Sequence, residues 1–510
     1  MIPMKPTLLI LALLGLVTVA TPRAQAADAI PDRPEKLKFP DLSFQPPGAQ
    51  QYRVQLKSGP VAYVIPDREL PLVNLSILVR CGEYLDPAGK EGLASLTGTL
   101  LFQGGTEKMT AEELEERAAF LAAHFSTSVA GTSGNASVNL LSKDLDEGLG
   151  LLRDILTTPR FQQNKLELLK DQMTQEMKQR NDDSSDIEGR EVSHLGFGDA
   201  FWMNRDFTAK SLESITHDDL VVFHRRWFHP ANFVVAVSGD FDRDAMIAKL
   251  EKLFADWPFK GETPPPIPTD LKFAKPGVYV VNKDVNQGRV NILLPGIMRD
   301  DPDLFAAHVM NDILGGGGFT SRIMNRVRTE EGLAYSAGSA LQAGTYFPSP
   351  FMASCQTQSR KVTYAVSLIL GELKRMTREP VTDEELTTSI KSKIESFPRA
   401  FASKAQIAGL FAQEEFTGRY AKDPDFYKNY RDKLRAVTKA DIQRVAQRLL
   451  HPDQVALLIV GQRDEILKGH PDHPERLHDF AGGNVVELPL RDPMTLEPQG
   501  AAKPIAKPTP

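Results

Sequence analysis

Two stretches of the chain carry the same order of polar and apolar positions. Ile215-Thr216-His217-Asp218-Asp219-Leu220 leads to His229-Pro230 and then to the apolar run Phe233-Val234-Val235-Ala236-Val237-Ser238-Gly239. Val437-Thr438-Lys439-Ala440-Asp441-Ile442 leads in the same way to His451-Pro452 and Val455-Ala456-Leu457-Leu458-Ile459-Val460-Gly461. Thr216 and Thr438, Pro230 and Pro452, and Gly239 and Gly461 keep one separation, so a single gapless alignment joins the segments. In each copy the threonine predicts a helix N-cap, and the residues after it have helical spacing. Proline then stops the helix before a short, continuous apolar run, which predicts a buried strand ending at glycine.

A second correspondence lies near the starts of the two halves. Leu72-Val73-Asn74-Leu75-Ser76-Ile77, followed by Asp86-Pro87, matches Arg289-Val290-Asn291-Ile292-Leu293-Leu294, followed by Asp301-Pro302. Each reads as a strand running into a helix. Amphipathic helices over 111–122, 144–156 and 165–179 alternate with short strands, which predicts one α+β unit written twice, with helices packed on sheets. Between the copies, Gly261-Glu262-Thr263-Pro264-Pro265-Pro266-Ile267-Pro268 favours extended backbone and marks a linker. The expected boundaries are a first domain over 45–260, a linker over 261–277 and a second domain over 278–490. Residues 27–44 and a Pro-rich tail over 491–510 lack periodicity and are expected to be disordered.

Composition adds an address. Lys5 precedes an apolar run over 8–20 that closes with Ala24-Gln25-Ala26, the pattern of a signal peptide cut after Ala26. The run is too short to span a bilayer, which takes about 20 apolar residues. No later stretch is apolar and long enough, so a periplasmic or secreted product without a membrane span is expected. Removing the leader leaves 58 basic and 66 acidic residues, net −8 against −6 for the whole chain, a balance that gives no support to nucleic-acid binding. Export permits Cys81 and Cys355 to pair, although two unpaired buried thiols is the reading preferred.

The chemistry-bearing motif is conspicuous for what it lacks. Residues 92–106, Gly-Leu-Ala-Ser-Leu-Thr-Gly-Thr-Leu-Leu-Phe-Gln-Gly-Gly-Thr, resemble the signature helix of the insulinase/processing-peptidase family of zinc proteases (family M16), which carries His-x-x-Glu-His within a Gly-Leu-Ala-His-Phe-Leu-Glu-His-Met-Leu-Phe-Lys-Gly-Thr frame. On that frame the first ligand histidine falls on Ser95, the general-base glutamate on Gly98 and the second histidine on Thr99. Glu176 stands where the family places its third ligand, though on residue type alone it is one solvent-facing helix carboxylate among many. A catalytic zinc takes three protein ligands and an open water position. Hydroxyls are poor neutral ligands, and the base that would activate water is missing.

The second half keeps its own motif. Leu314-Gly315-Gly316-Gly317-Gly318-Phe319-Thr320-Ser321-Arg322, then Arg326-Val327-Arg328-Thr329-Glu330-Glu331-Gly332-Leu333-Ala334-Tyr335-Ser336, is similar to the family's Gly-rich turn followed by an Arg and a Tyr that hold substrate. These fall on Arg328 and Tyr335. Gly332 is expected to end a helix, with Arg328 in its last turn and Tyr335 on a strand beyond. Without the resemblance, Arg328 pairing with Glu331 and Tyr335 packing in a core would be the plainer reading. The glycine run lacks the Gly-Lys-Ser/Thr of a phosphate loop. His470, His473 and His478 share a loop, and His224 and His229 flank Trp227; packing accounts for them better than a metal does.

The resemblance spans about 45–490. It implies an α+β clamshell of two homologous α/β-roll (LuxS/MPP-like metallohydrolase) domains. Within the family, some pairs divide labour between a His-x-x-Glu-His chain and an Arg/Tyr chain that together enclose a peptide chamber. The implied role is therefore the Arg/Tyr subunit of a heterodimeric zinc endopeptidase, with no cofactor in this chain and zinc in a His-x-x-Glu-His partner. Peptides or unfolded polypeptide would be the substrate. The alternative is a structural or peptide-binding scaffold without catalysis.

Overall fold

A computed structural model describes Arg33, Lys36, Leu37 and residues 43–507; the signal-peptide reading of residues 1–26 lies outside these. Among the described residues, the strands are β1 (Arg53–Gln55), β2 (Val61–Pro66), β3 (Leu72–Val79), β4 (His124–Ala130), β5 (Ser133–Leu141), β6 (Phe233–Gly239), β7 (Gly277–Asn282), β8 (Gln287–Leu294), β9 (Ala334–Leu341), β10 (Phe351–Gln358), β11 (Ala456–Gly461), β12 (Val485–Leu488) and β13 (Lys503–Pro504). They form two sheets, ordered β1-β2-β6-β3-β5-β4 and β13-β12-β7-β11-β8-β10-β9.

The duplication read from the sequence is a duplication of topology. β2 runs parallel to β6, and β6-β3-β5-β4 continue antiparallel. β7 runs parallel to β11, and β11-β8-β10-β9 repeat the same pattern. The aligned apolar runs become β6 and β11, each wholly buried at the centre of its sheet. Both threonines cap as expected: Thr216 makes a capping box with Asp219, and Thr438 makes one with Asp441.

Strand alternation decides which face meets the helices. On β3, Val73, Leu75, Ile77 and Val79 are buried in a core with Leu96 and Leu100 of the helix Leu93–Gln103, while Asn74 and Ser76 face the other way. On β8, Val290, Ile292 and Leu294 occupy the equivalent core with Leu304 and Val309. Cys81 lies in the first core and Cys355 in the second, both unpaired. Burial pushes the Cys355 thiol up to about 12, so it has no thiolate character.

Each half lends a helix to the other. Ser184–Phe197, from the first half, lies on β11 and β8, with Ile187 and Leu195 packed among Leu293, Leu458 and Val460. Lys404–Phe416, from the second half, lies on β2 and β6 of the first sheet. There Glu415 accepts two hydrogen bonds from Arg53 (both 2.9 Å) and one from Tyr63 (3.0 Å). Across the other exchange, Glu188 accepts from Arg289 (2.9 Å) and Asn291 (2.5 Å).

The expectation of a disordered tail from 491 is corrected. After β12 the chain makes a hairpin, closed by a bridge between Arg491 and Pro498 and returning to pair β13 with β12. Its tip docks on the first half. Arg491 donates to Glu191 and Asp199 (3.0 Å each), the Arg491 carbonyl accepts from Asn181 (2.8 Å), and the Met494 carbonyl accepts from the Ala209 amide (2.9 Å). Ion pairs and backbone bonds order this segment, which is why its polar, Pro-rich composition concealed it.

Candidate active site

The signature helix Leu93–Gln103 is fixed at its start by a buried carboxylate. Asp86 accepts from the backbone amides of Gly92 (2.9 Å) and Ala94 (2.8 Å), satisfying donors that a helix N-terminus leaves unpaired. Burial raises this carboxyl to about 7 even with both donors in place. Leu93, Ala94, Leu96, Leu100 and Leu101 then face the core, whereas Ser95 and Thr99 lie half-buried on a neighbouring stripe.

Gly98 decides what this helix can do. It sits against the backbone of the edge strand β4: a Cβ built there would lie 2.2 Å from the Val129 nitrogen and 2.6 Å from the Ser128 carbonyl carbon. No side chain fits at that distance, so the position the resemblance assigns to a general base has been closed by packing. The second half uses the same device. A Cβ on Gly315 would lie 2.3 Å from the Ser339 nitrogen of its own edge strand, β9.

Glu176 lies on a helix that packs against the signature helix. It is exposed on the helix Gln163–Gln179 and lines a cleft of about 470 Å³ with Arg180, Arg190, Asp206 and Leu496 of the tail hairpin; none of the three signature positions lines that cleft. Among the described residues, no three His, Cys, Asp or Glu side chains are grouped to hold a metal ion. Two hydroxyls, a packed glycine and one exposed carboxylate do not fit a catalytic zinc. The other histidines are engaged locally: the His473 ring stacks on Tyr364 (centroids 3.5 Å apart), His478 meets the Ile505 carbonyl, and buried His224 meets the Leu156 carbonyl.

In the second half the helix Leu304–Asn311 runs into a widened turn over Asp312–Gly316, after which Thr320 and Ser321 donate their hydroxyls to the Gly317 and Gly318 carbonyls (3.0 and 2.7 Å). Arg322 is buried and makes a two-pronged pair with Glu385 (2.6 and 2.8 Å), a residue that also caps the helix Asp383–Ser396. Burial alone would raise the Glu385 carboxyl. The Arg322 hydrogen bonds override it and hold the group down at about 2.

Beyond this anchor the helical turns end as the sequence implied. Gly332 takes φ +60°, its amide donates to the Arg328 carbonyl (3.0 Å), and Leu333 donates to the Val327 carbonyl (3.0 Å). Tyr335 then stands on β9 with 88% of its surface exposed. The plainer alternatives for the pair do not occur. Glu331 and Glu330 are both taken by Arg326 (3.5 and 2.5 Å), and no carboxylate pairs with Arg328 among the described residues. The Arg328 guanidinium carbon lies instead 5.3 Å from the Tyr335 ring centre and 4.7 Å from that of Phe319. Phe319 is 70% exposed and was not singled out in the sequence. The available signal was an aromatic directly after four glycines, where a turn normally places a polar residue.

Next to this trio a groove of about 670 Å³ runs over the open face of the second sheet, between β9 and the helix Ser184–Phe197; Ser336, Asn291, Gln356 and Gly189 line it. A smaller groove of about 220 Å³ lies over Asn74, Ser76 and Asn139 of the first sheet, against Ala408 and Gly409 of the other exchanged helix.

Residues 64–197 match the sequence model of the insulinase family (peptidase family M16), and residues 214–393 match that of the peptidase M16 inactive domain. The chain belongs to peptidase family M16. Among curated relatives, it is 28% identical over 337 residues to the non-peptidase homolog YmxG of Helicobacter pylori, covering 64% of this chain and 76% of that one. It is 24% identical over 350 residues to an uncharacterized zinc protease of Rickettsia bellii, covering 67% and 82%. The fold matches the crystal structure of a peptidase M16 inactive domain from Pseudomonas fluorescens (TM-score 0.71, 24% identity, 80% of this chain and 97% of that one). It also matches the periplasmic protease PqqL from Escherichia coli (TM-score 0.68, 15% identity, 87% and 49%). The helix that resembles the family's signature is thus packed shut at Gly98, and the segment that resembles its Arg/Tyr motif leaves Tyr335 exposed.

Proposed function

We propose that this chain is the Arg/Tyr subunit of a heterodimeric M16-type zinc endopeptidase in the exported compartment, acting on peptides or unfolded segments. The single observation that carries this reading is the state of Arg328 and Tyr335. Among the described residues no carboxylate neutralises the Arg328 guanidinium, the Tyr335 phenol is mostly in solvent, and both are strong donors for an oxygen that gains negative charge. In the assembled enzyme they donate to the scissile carbonyl of an extended peptide. Zinc and the water-activating base come from a His-x-x-Glu-His partner, since Ser95, Gly98 and Thr99 supply neither.

The rival is a non-catalytic peptide-binding scaffold. It is favoured by the groove beside β9 and by a relative named as a non-peptidase homolog. Mixing the chain with an exported M16 homologue bearing His-x-x-Glu-His separates the two. The subunit reading predicts a defined heterodimer by size-exclusion chromatography and cleavage of a fluorogenic peptide well above that of either chain alone. Absence of association at micromolar concentration contradicts it.

A further inference from the structure

The geometry points to Phe319 as a positioning residue for Arg328, an inference that rests on the Arg/Tyr reading above. An arginine side chain has four rotatable bonds and needs something to hold it. Among the described residues the carboxylates beside Arg328 are engaged by Arg326, and what remains against its guanidinium is the ring of Phe319 and, slightly farther, that of Tyr335. The difference between the two kinds of restraint matters chemically. A carboxylate would occupy two of the five N–H donors and neutralise the charge. An aromatic ring attracts the cation through its π face and leaves the donor fork free for a ligand oxygen.

The backbone around Phe319 suits this task. Its ring projects from a short turn, Gly318–Thr320, whose two ends are tied by the Thr320 and Ser321 hydroxyls. Behind the turn, the Gly317 amide donates to the Asp312 carbonyl (2.8 Å), and Gly315 abuts β9, the strand that carries Tyr335. The ring contributes to no core and is mostly in solvent, so folding alone gives no reason for an aromatic there. Phe319, Arg328 and Tyr335 thus form one cluster, two exposed rings about a half-buried guanidinium, beside the Gly-rich turn.

Phe319→Leu keeps size and apolarity but removes the π face, Phe319→Ala removes both, and Phe319→Tyr keeps the face. Two readouts decide. In the isolated full chain labelled with ¹⁵N-arginine, the Arg328 Nε–Hε signal, assigned with Arg328→Lys, is displaced upfield by ring currents. That displacement shrinks in Phe319→Leu and Phe319→Ala and returns in Phe319→Tyr. In the heterodimer, kcat falls about fivefold in Phe319→Leu, the scale of one cation–π contact. KM changes little, and Phe319→Tyr restores turnover. An Arg328 signal at the free-arginine position that ignores Phe319→Leu overturns the inference. So does full turnover in Phe319→Leu when Arg328→Ala is impaired, an outcome that leaves the Arg/Tyr reading standing. If Arg328→Ala itself leaves the turnover of an active heterodimer unchanged, that reading and this inference fall together.

Discussion

The two halves share a topology and a packing device, and they have used them in opposite ways. In each, a glycine lets a helical segment press on the backbone of an edge strand, Gly98 on β4 and Gly315 on β9. In the first half that contact closes the position that the resemblance assigns to a base and leaves two half-buried hydroxyls. In the second, the same kind of contact lies beneath the turn that carries Phe319, whose exposed ring meets the half-buried Arg328 beside the exposed Tyr335 of β9. Where the residues that the resemblance assigns to zinc are replaced, the space is packed; on the function proposed above, a ligand or partner is the physical reason for the exposed rings around Arg328.

Forcing the first half open is expected to have the largest effect. Gly98→Glu must push the signature helix off β4, and overpacking of that kind costs more than about 4 kcal/mol, seen as loss of cooperative unfolding or failure to accumulate. Wild-type stability in Gly98→Glu, with stoichiometric zinc in the Ser95→His/Gly98→Glu/Thr99→His triple variant, would erase the contrast between the halves.

The support of the open motif is tested next. Arg322→Ala leaves Glu385 without its main partner and should cost about 3 kcal/mol in denaturant melts. The pH dependence follows from the sign of the shift. Glu385 is held below its ordinary 4.5, at about 2, so the pair's contribution is fully present above pH 4.5 and is lost as pH falls toward 2. The stability difference between wild type and Arg322→Ala should therefore narrow over that window, as thermal melts can follow.

Smaller again is the tail hairpin. Arg491→Ala should cost about 2 kcal/mol, below the full cost of breaking a buried pair, because Arg190 remains 3.8 Å from Glu191. Hydrogen exchange should locate the loosening at Asn181, Ala209 and β13. The smallest effects belong to Ser95→His and Thr99→His made singly, which are half-exposed and should each change stability by less than about 1 kcal/mol. Losses there as large as at Gly98 would mean that the whole helix face, rather than one glycine contact, is shut.

Much of this was legible in the chain because it is local. Capping threonines, stop prolines and buried apolar runs declare β6 and β11, and Gly332 declares the end of the Arg328 turn. The exchange of helices was not legible. The pattern over 184–197 says that one face is buried, but not that the covering sheet belongs to the other half. The meaning of Gly98 was hidden for the same reason: a glycine in place of glutamate reads as a deletion until β4 is seen lying against it. The tail failed differently, since Arg491 is ordered by carboxylates nearly 300 residues earlier, a kind of partner that composition does not reveal.

The central claim is that Arg328 and Tyr335 are kept open for a reacting carbonyl, and Tyr335→Phe tests it with least disturbance because the ring against Arg328 is retained and the hydroxyl alone is removed. In a purified heterodimer with a His-x-x-Glu-His homologue, the account predicts unchanged assembly and zinc content and a turnover reduced roughly 100- to 1000-fold, the scale for losing one oxyanion donor. Full turnover by an intact Tyr335→Phe heterodimer would contradict it.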